Sequence, residues 1–229
     1  MPLASGVTSA SISKAPSILA ATPFRSLASA TEASAKSLDK LKKSEESAIE
    51  QLEKNSDELE YLNSVLTNIE NCESYTEIDD IKEELISTGY VRKRKANGKN
   101  NKKAKPSKPL HYISSDGIDI FVGKNNIQND NLSLKFANKN HMWLHTKNIP
   151  GSHVIVCSND VPDNTLVEAA TLAAYYSKAK ESSKVDVDYT LVKNLKKPNG
   201  AKPGMVIYHT NYTMTVDPSD IKSLNLEKK

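Results

Sequence analysis

A leucine-rich heptad between residues 34 and 71 constrains this chain more than any other feature. Stepping alternately by three and four from Leu38 gives Leu41, Glu45, Ala48, Leu52, Asn55, Leu59, Leu62, Leu66 and Ile69. All but Glu45 and Asn55 are Leu, Ile or Ala, and a 3.5-residue period held this long is a helix that seeks a partner helix. A polar seam residue often fixes register at some loss of stability, which suits Glu45 and Asn55. The other faces are dense in Glu, Asp and Lys, the solvated side of such a helix. A second helix is expected from Thr76 to Ser87, capped by Thr76 and ended by Thr88-Gly89. At ~1.5 Å per residue it covers about a third of the long helix. The seam at Leu38, Leu41, Leu52, Leu59, Leu62, Leu66 and Ile69 therefore calls for a coiled-coil partner. Residues 1–30, a second copy of the chain or a further segment could supply it.

Charge separates the chain into unlike parts. Residues 31–91 hold sixteen Asp/Glu and six Lys/Arg; residues 92–229 hold twenty-three Lys/Arg and twelve Asp/Glu. The first stretch is strongly acidic and the second strongly basic, so they face different partners, and a polyanion such as nucleic acid suits the second. Residues 1–33 form an N-terminal segment whose first thirty residues lack any acid and contain Pro2, Pro16 and Pro23. That Ala- and Ser-rich composition reads as a disordered or remnant segment, and organelle transit peptides share it. Residues 92–108 carry nine basic residues and no aromatic. Such a run cannot pack a core and reads as a flexible linker, whether a plain tether, a phosphate-binding arm or a nuclear localisation signal. Its basic candidates are Arg92, Lys93, Arg94, Lys95, Lys99, Lys102, Lys103 and Lys105. No apolar run approaches the ~20 residues that span a membrane. Cys72 and Cys157 make no disulfide framework, which fits a reducing, cytoplasmic setting.

A compact domain is expected over residues 109–218, followed by a tail at 219–229. Strands are expected at 110–114 and 118–122 around Ser115-Asp116-Gly117, then at 142–146, 153–157 and 185–193. A last hairpin is expected from 205–209 and 212–216 around Thr210-Asn211. Helices are expected at 131–137, capped by Asn129-Asp130, and at 163–180. The fold class is α+β: a mostly antiparallel sheet with two helices, preceded by a long coiled-coil helix.

Polar groups gather at three places. Gly123, Lys124, Asn125, Asn126, Gln128 and Asn129 lie between a strand and a helix, where N–H groups and an ammonium can meet a phosphate. The same residues could equally form a plain strand-to-helix turn. Trp143, His145 and Lys147 come next; the indole is either core or a platform for a base. Gly151, Ser152 and His153 follow. No metal site is expected, since neither cysteine has ligand spacing to the histidines. Catalysis is not expected either, since no nucleophile-elbow pattern surrounds Ser152. Lys178, Lys196, Lys197 and Lys202 complete the basic candidates, with a solubilising surface as the bland alternative.

These motifs resemble the C-terminal domain of the NFACT proteins. The similar pieces are Gly123 to Asp130, Trp143 to Lys147, Ile149 to Val154, Glu168-Ala169-Ala170 through Ala179, Val187 to Thr190, and Lys196 to Gly204, in family order and spacing. Residues 58–66 and 81–85 are similar to the returning arm of the family's coiled coil. His141 stands where the family pattern has an acid, so no role is carried to it. The resemblance spans about residues 36–218. It gives no counterpart to the family's large N-terminal domain, its helix-hairpin-helix region or its outgoing coiled-coil arm.

The resemblance implies an RNA-binding module of a ribosome quality-control factor. Its partners would be the large ribosomal subunit with rRNA and/or tRNA. The whole factor rescues stalled ribosomes and supports C-terminal alanine tailing of nascent chains. No cofactor, membrane or enzymatic step is implied. The alternatives are a coiled-coil protein-interaction fragment and a surface adhesin binding fibronectin, a label that bacterial members long carried. A small hydrolase built on His145 and Ser152 is the remaining competitor.

Overall fold

The computed structural model describes residues 22–93, 105–224 and 226–229. The expectations for residues 1–21 and for most of the basic linker lie outside the described residues. The chain divides into two compact units, Met1–Lys54 and Asn55–Lys229. Helix α1 (Thr22–Glu70) runs through both. It starts earlier than residue 34. Pro23 lies in its first turn, where a missing N–H breaks no helical bond, and no further Pro or Gly occurs before its end.

In the second unit, α1 packs on α2 (Tyr75–Ser87), but not through the leucine seam. The buried stripe is Tyr61, Val65 and Asn68, 1%, 4% and 3% exposed. Tyr61 and Val65 meet Ile81, with Leu85, Cys72 and Tyr90 alongside. Positions 61, 65 and 68 form their own helical face, and Cys72 follows just past the helix end. Leu59, Leu62, Leu66 and Ile69 stay exposed, as do Leu38, Leu41 and Leu52 in the other unit. The cap of α2 also differs from expectation. Ser74 takes that position, its side chain accepting the Glu77 N–H, while the Glu77 carboxylate accepts the Glu73 N–H. Thr88 and Gly89, the latter at φ 87°, end the helix as expected.

Seven antiparallel strands follow: β1 (Leu110–Ile113), β2 (Asp119–Val122), β3 (Met142–Thr146), β4 (Val154–Val156), β5 (Val185–Leu191), β6 (Tyr212–Val216) and β7 (Glu227–Lys228). Their order in the sheet is β6-β5-β3-β4-β2-β1-β7. This is the α+β class read from the sequence. One expected strand is absent. Residues 205–209 make a single bridge, Ile207 to Lys196, and β6 pairs with β5 instead. Val206 and Tyr208 from that loop pack beside Trp143 rather than extending a ladder. The expected tail contributes β7, which pairs with Tyr112 and Ile113.

Helix α3 (Asn126–Asn131) begins five residues before the expected helix, and a π-helical turn, Leu132–Phe136, continues it. Asn125, not Asn129, caps it by accepting the Gln128 N–H at 2.9 Å. Helix α4 (Asp163–Tyr175) stops short of Lys180. Its chain turns away because Ser177 bridges to Gly151 and the Lys178 N–H donates to the Pro150 carbonyl at 2.9 Å.

The sheet has two covered faces. On one, Leu144, Val154, Val156, Val185 and Val187 meet α4, whose Ala169, Ala170, Ala173 and Ala174 are wholly buried. Small residues let the helix approach the sheet closely. On the other, Trp143 and Ile155 lie under Leu132, Val192 and Leu195. The period-2 alternation of β3 assigns Leu144 and Thr146 to the first face and Trp143 and His145 to the second.

Candidate nucleic-acid interface

The stretch from Gly123 to Asp130 binds the domain to the helical pair beside it. Strand β2 delivers Gly123, whose N–H donates to the His153 carbonyl at 3.1 Å. A Cβ at Gly123 would lie 2.1 Å from Asn129 Oδ1. That oxygen accepts the His153 N–H at 3.1 Å. Only a glycine leaves room for this amide to hold the next strand.

Lys124 is one of the residues expected at a phosphate. Its ammonium instead meets Glu77 Oε1 at 2.6 Å, with the two side chains 20% and 7% exposed. Burial raises the Glu77 carboxyl, yet the Lys124 ammonium and the Glu73 N–H together hold it below the ordinary value. Asn126 is turned inward as well. Its N–H donates to Glu84 Oε2 at 3.2 Å, and its Nδ2 donates to Glu84 Oε1 at 3.0 Å and Ser64 Oγ at 2.9 Å. Glu84 is wholly buried, and burial raises its carboxyl. Gln128 donates to the Ser107 carbonyl at 2.9 Å, and Ser107 donates through N–H and Oγ to Asp80. Asn125, Asn126, Gln128 and Asn129 are thus all buried. Backbone and side-chain amides that could have cradled a phosphate are used within the protein.

The Trp-Leu-His and Gly-Ser-His runs meet on the second face of the sheet. Trp143 is 1% exposed and lies between His145, His153 and Tyr208, with ring centroids 5.7, 5.1 and 5.0 Å away. It is core, not an open platform. His153 Nδ1 bonds Ser133 Oγ at 2.7 Å, and both residues are buried. Burial pushes the His153 imidazole well below its ordinary value and lowers His145 too, which favours the neutral ring in both. The Ser152 N–H donates to the Tyr176 carbonyl at 3.1 Å, and Ser152 is 3% exposed. A Cβ on Gly151 would lie 2.7 Å from Thr146 Oγ1, so this turn also depends on its glycine. Among the described residues no cluster of three or more His, Cys, Asp or Glu is placed to hold a metal.

The basic candidates separate into two groups. Lys197 pairs with Asp130, which also accepts the Gly204 N–H at 3.0 Å. Lys202 lies over the Tyr90 and Tyr61 rings, 4.7 and 5.6 Å from their centroids. These two and Lys124 tie parts of the fold together. Lys147, Lys178 and Lys196 stay exposed, as do Arg92, Lys93 and Lys105 of the linker. Arg94, Lys95, Lys99, Lys102 and Lys103 lie outside the described residues. Sequence reasoning missed the carboxylates that neutralise the inward lysines. Glu77 looks like an ordinary surface acid and Asp130 like part of a helix cap, and no local pattern marks the lysine each will meet.

Comparison with known proteins places the chain among relatives. Residues 32–104 match the family model of the NFACT N-terminal and middle domains, and residues 108–210 match that of the NFACT protein RNA binding domain. The protein described as Rqc2 homolog RqcH from Bacillus subtilis (strain 168) is 44% identical over 181 residues, covering 78% of this chain and 31% of that one. Its namesake from Streptococcus suis (strain 05ZYH33) is 44% identical over 195 residues, covering 83% and 34%. The chain thus spans about a third of the length of these relatives. A solved structure, the C-terminal part of the fibronectin/fibrinogen-binding protein from Streptococcus suis, superposes with a TM-score of 0.75 at 43% identity. It covers 82% of this chain and 76% of its own.

Proposed function

Because the chain belongs to the NFACT family, we propose that it is the RNA-contacting module of a ribosome quality-control factor. Its partner is the large ribosomal subunit, through rRNA and/or tRNA, in the cytoplasm. The whole factor rescues stalled ribosomes and supports C-terminal alanine tailing; this module contributes binding and no bond-making chemistry.

The match of residues 108–210 to an RNA-binding domain carries this reading. The excess of lysine after residue 92 supports it, because each ammonium on a phosphate releases a condensed counterion. Lys147, Lys178 and Lys196 remain available for such contacts. Co-sedimentation with isolated large subunits tests the reading. The chain should pellet with subunits at low salt and dissociate steeply as salt rises. Failure to pellet at low salt overturns it.

The exposed leucine seam favours a second, compatible role as a coiled-coil surface. Replacing Leu38, Leu41 and Leu52 with serine should leave subunit pelleting intact if the seam serves a partner helix alone. Fibronectin binding, for which the Streptococcus suis structural relative is named, is tested on immobilised fibronectin with the same protein.

A further inference from the structure

The end of the sheet where β3 begins and β5 ends gathers three segments that are distant in sequence. The Lys193 N–H donates to the Lys139 carbonyl at 3.0 Å, and the Val192 N–H to the His141 carbonyl at 3.0 Å. Asn194 Nδ2 donates to Thr190 Oγ1 at 2.8 Å, and Thr190 Oγ1 donates to the Thr210 carbonyl at 2.5 Å. These bonds join the corners at 138–141, 192–196 and 209–212. The bridge between Lys196 and Ile207 holds the last two from the other side.

Two properties set this corner apart. Residues 131–142 and 189–216 contain no acid at all. Lys139, Lys193 and Lys196 are exposed, with no ion-pair partner among the described residues, unlike Lys124 and Lys197. Tyr212, in the 209–212 corner, is 69% exposed. It pairs with Tyr189 across β5 and β6, and the two rings stack with centroids 5.6 Å apart at 29°. Tyr189 is partly buried against the core, so it holds the Tyr212 ring from beneath. An aromatic ring fixed on one side and open to solvent on the other offers a face to a planar base. Uncompensated ammonium groups on the joined corners offer positions for the flanking phosphates.

We propose that this corner is where the module takes an unpaired RNA nucleotide, with the base stacked on Tyr212 and the backbone along Lys139, Lys193 and Lys196. The proposal rests on the RNA-binding reading above and assigns it a place. A duplex keeps its bases stacked on one another, so the corner selects single-stranded or looped RNA.

Fluorescence anisotropy with a labelled single-stranded oligoribonucleotide, and with the same sequence closed as a duplex, tests it. The single strand should bind more tightly. Tyr212→Ala should weaken it about tenfold, while Tyr212→Phe keeps it, since stacking needs the ring and not the hydroxyl. Lys139→Ala with Lys193→Ala should flatten the slope of log affinity against log salt by about 1.4, at roughly 0.7 per phosphate contact on a single strand. Lys222→Ala with Lys229→Ala, an equal loss of charge elsewhere, should leave the slope within half of that change. Unchanged affinity in Tyr212→Ala, or equal binding of duplex and single strand, overturns the corner. Subunit pelleting that persists beside those results leaves the functional reading intact. A chain that binds neither oligonucleotide nor subunit overturns both.

Discussion

Asn126 grips both oxygens of Glu84, its backbone N–H on Oε2 at 3.2 Å and its side-chain Nδ2 on Oε1 at 3.0 Å. Tyr61 donates to Oε1 as well, at 2.9 Å. A wholly buried carboxylate is thereby served by donors from α1 and from the start of α3, with no cation among these contacts. Such a group is tolerated only while its lone pairs are filled. Asn126→Ala leaves Oε1 to Tyr61 alone and should destabilise the chain by about 0.5–1.5 kcal/mol, the net worth of one lost hydrogen bond. Chemical denaturation measures it, and a double-mutant cycle with Glu84→Gln should show a coupling above ~0.5 kcal/mol.

Lys124 should matter to stability and not to RNA. Lys124→Met leaves the Glu77 carboxylate, 7% exposed, without its ammonium. Breaking one partner of a buried pair costs about 3–5 kcal/mol, and the one-fifth exposure of Lys124 places the loss toward or below the low end. Adding Glu77→Met should restore much of it. RNA affinity, measured on folded protein, should stay within twofold in the double variant.

The two stripes of α1 should respond oppositely to truncation. Leu59→Ser, at a residue 63% exposed, should change the stability of the isolated chain by under about 0.5 kcal/mol. Tyr61→Ala, at 1% exposure, should cost about 3–5 kcal/mol. Thermal melts of the two variants decide whether the seam or the Tyr61 stripe faces α2.

Acid should weaken the fold through His153. Its imidazole, pushed below the ordinary 6.5 by burial, binds fewer protons folded than unfolded. Stability is therefore full above pH 6.5 and falls as pH drops below that value. The Glu84 carboxyl, raised by burial, acts in the opposite sense from its ordinary 4.5 up to its raised value. Denaturation midpoints at pH 7.5 and 5.5, compared between wild type and His153→Gln, isolate the histidine. The difference between the two chains should shrink at the lower pH.

Trp143 is the sole tryptophan, so its emission reports one position. Buried at 1% exposure, it should resist acrylamide and show no quenching when RNA is added. Quenching by RNA at saturation would mean that the second face of the sheet opens to nucleic acid.

Much of the architecture is legible in the sequence because it follows periodicity. The alternation of β5 reports a burial pattern that local sequence encodes, whereas the 3.5-residue spacing of α1 marks a helix but not the face it buries. Pro23 reads as a breaker, yet the first helical turn accommodates it. Asn129-Asp130 reads as a cap for α3, yet Asn125 holds that place because its side chain reaches the Gln128 N–H. The expected strand at 205–209 is missing for a tertiary reason: Val206 and Tyr208 pack into the cluster around Trp143, and the segment makes a single bridge instead of a ladder.

The candidate site is legible as a composition and not as a surface. Gly, Asn, Lys and His are the residues that bind phosphates, and they are also the residues that bracket one segment of a protein to another. Nothing local distinguishes Lys124, neutralised by Glu77 some forty-seven positions away, from Lys193, which faces solvent. Tyr212 carries no local signal because its stacking partner, Tyr189, is brought to it only by the pairing of β5 with β6.

By itself the sequence determined a long amphipathic helix, an antiparallel α+β domain and a basic C-terminal part, since each depends on short-range spacing or on a sum of charges. The tertiary structure alone decided which face of α1 is covered and which polar groups are spent inside. It also decided which lysines remain for a polyanion, because hydrogen bonds and ion pairs of long sequence separation exist only once the chain has folded.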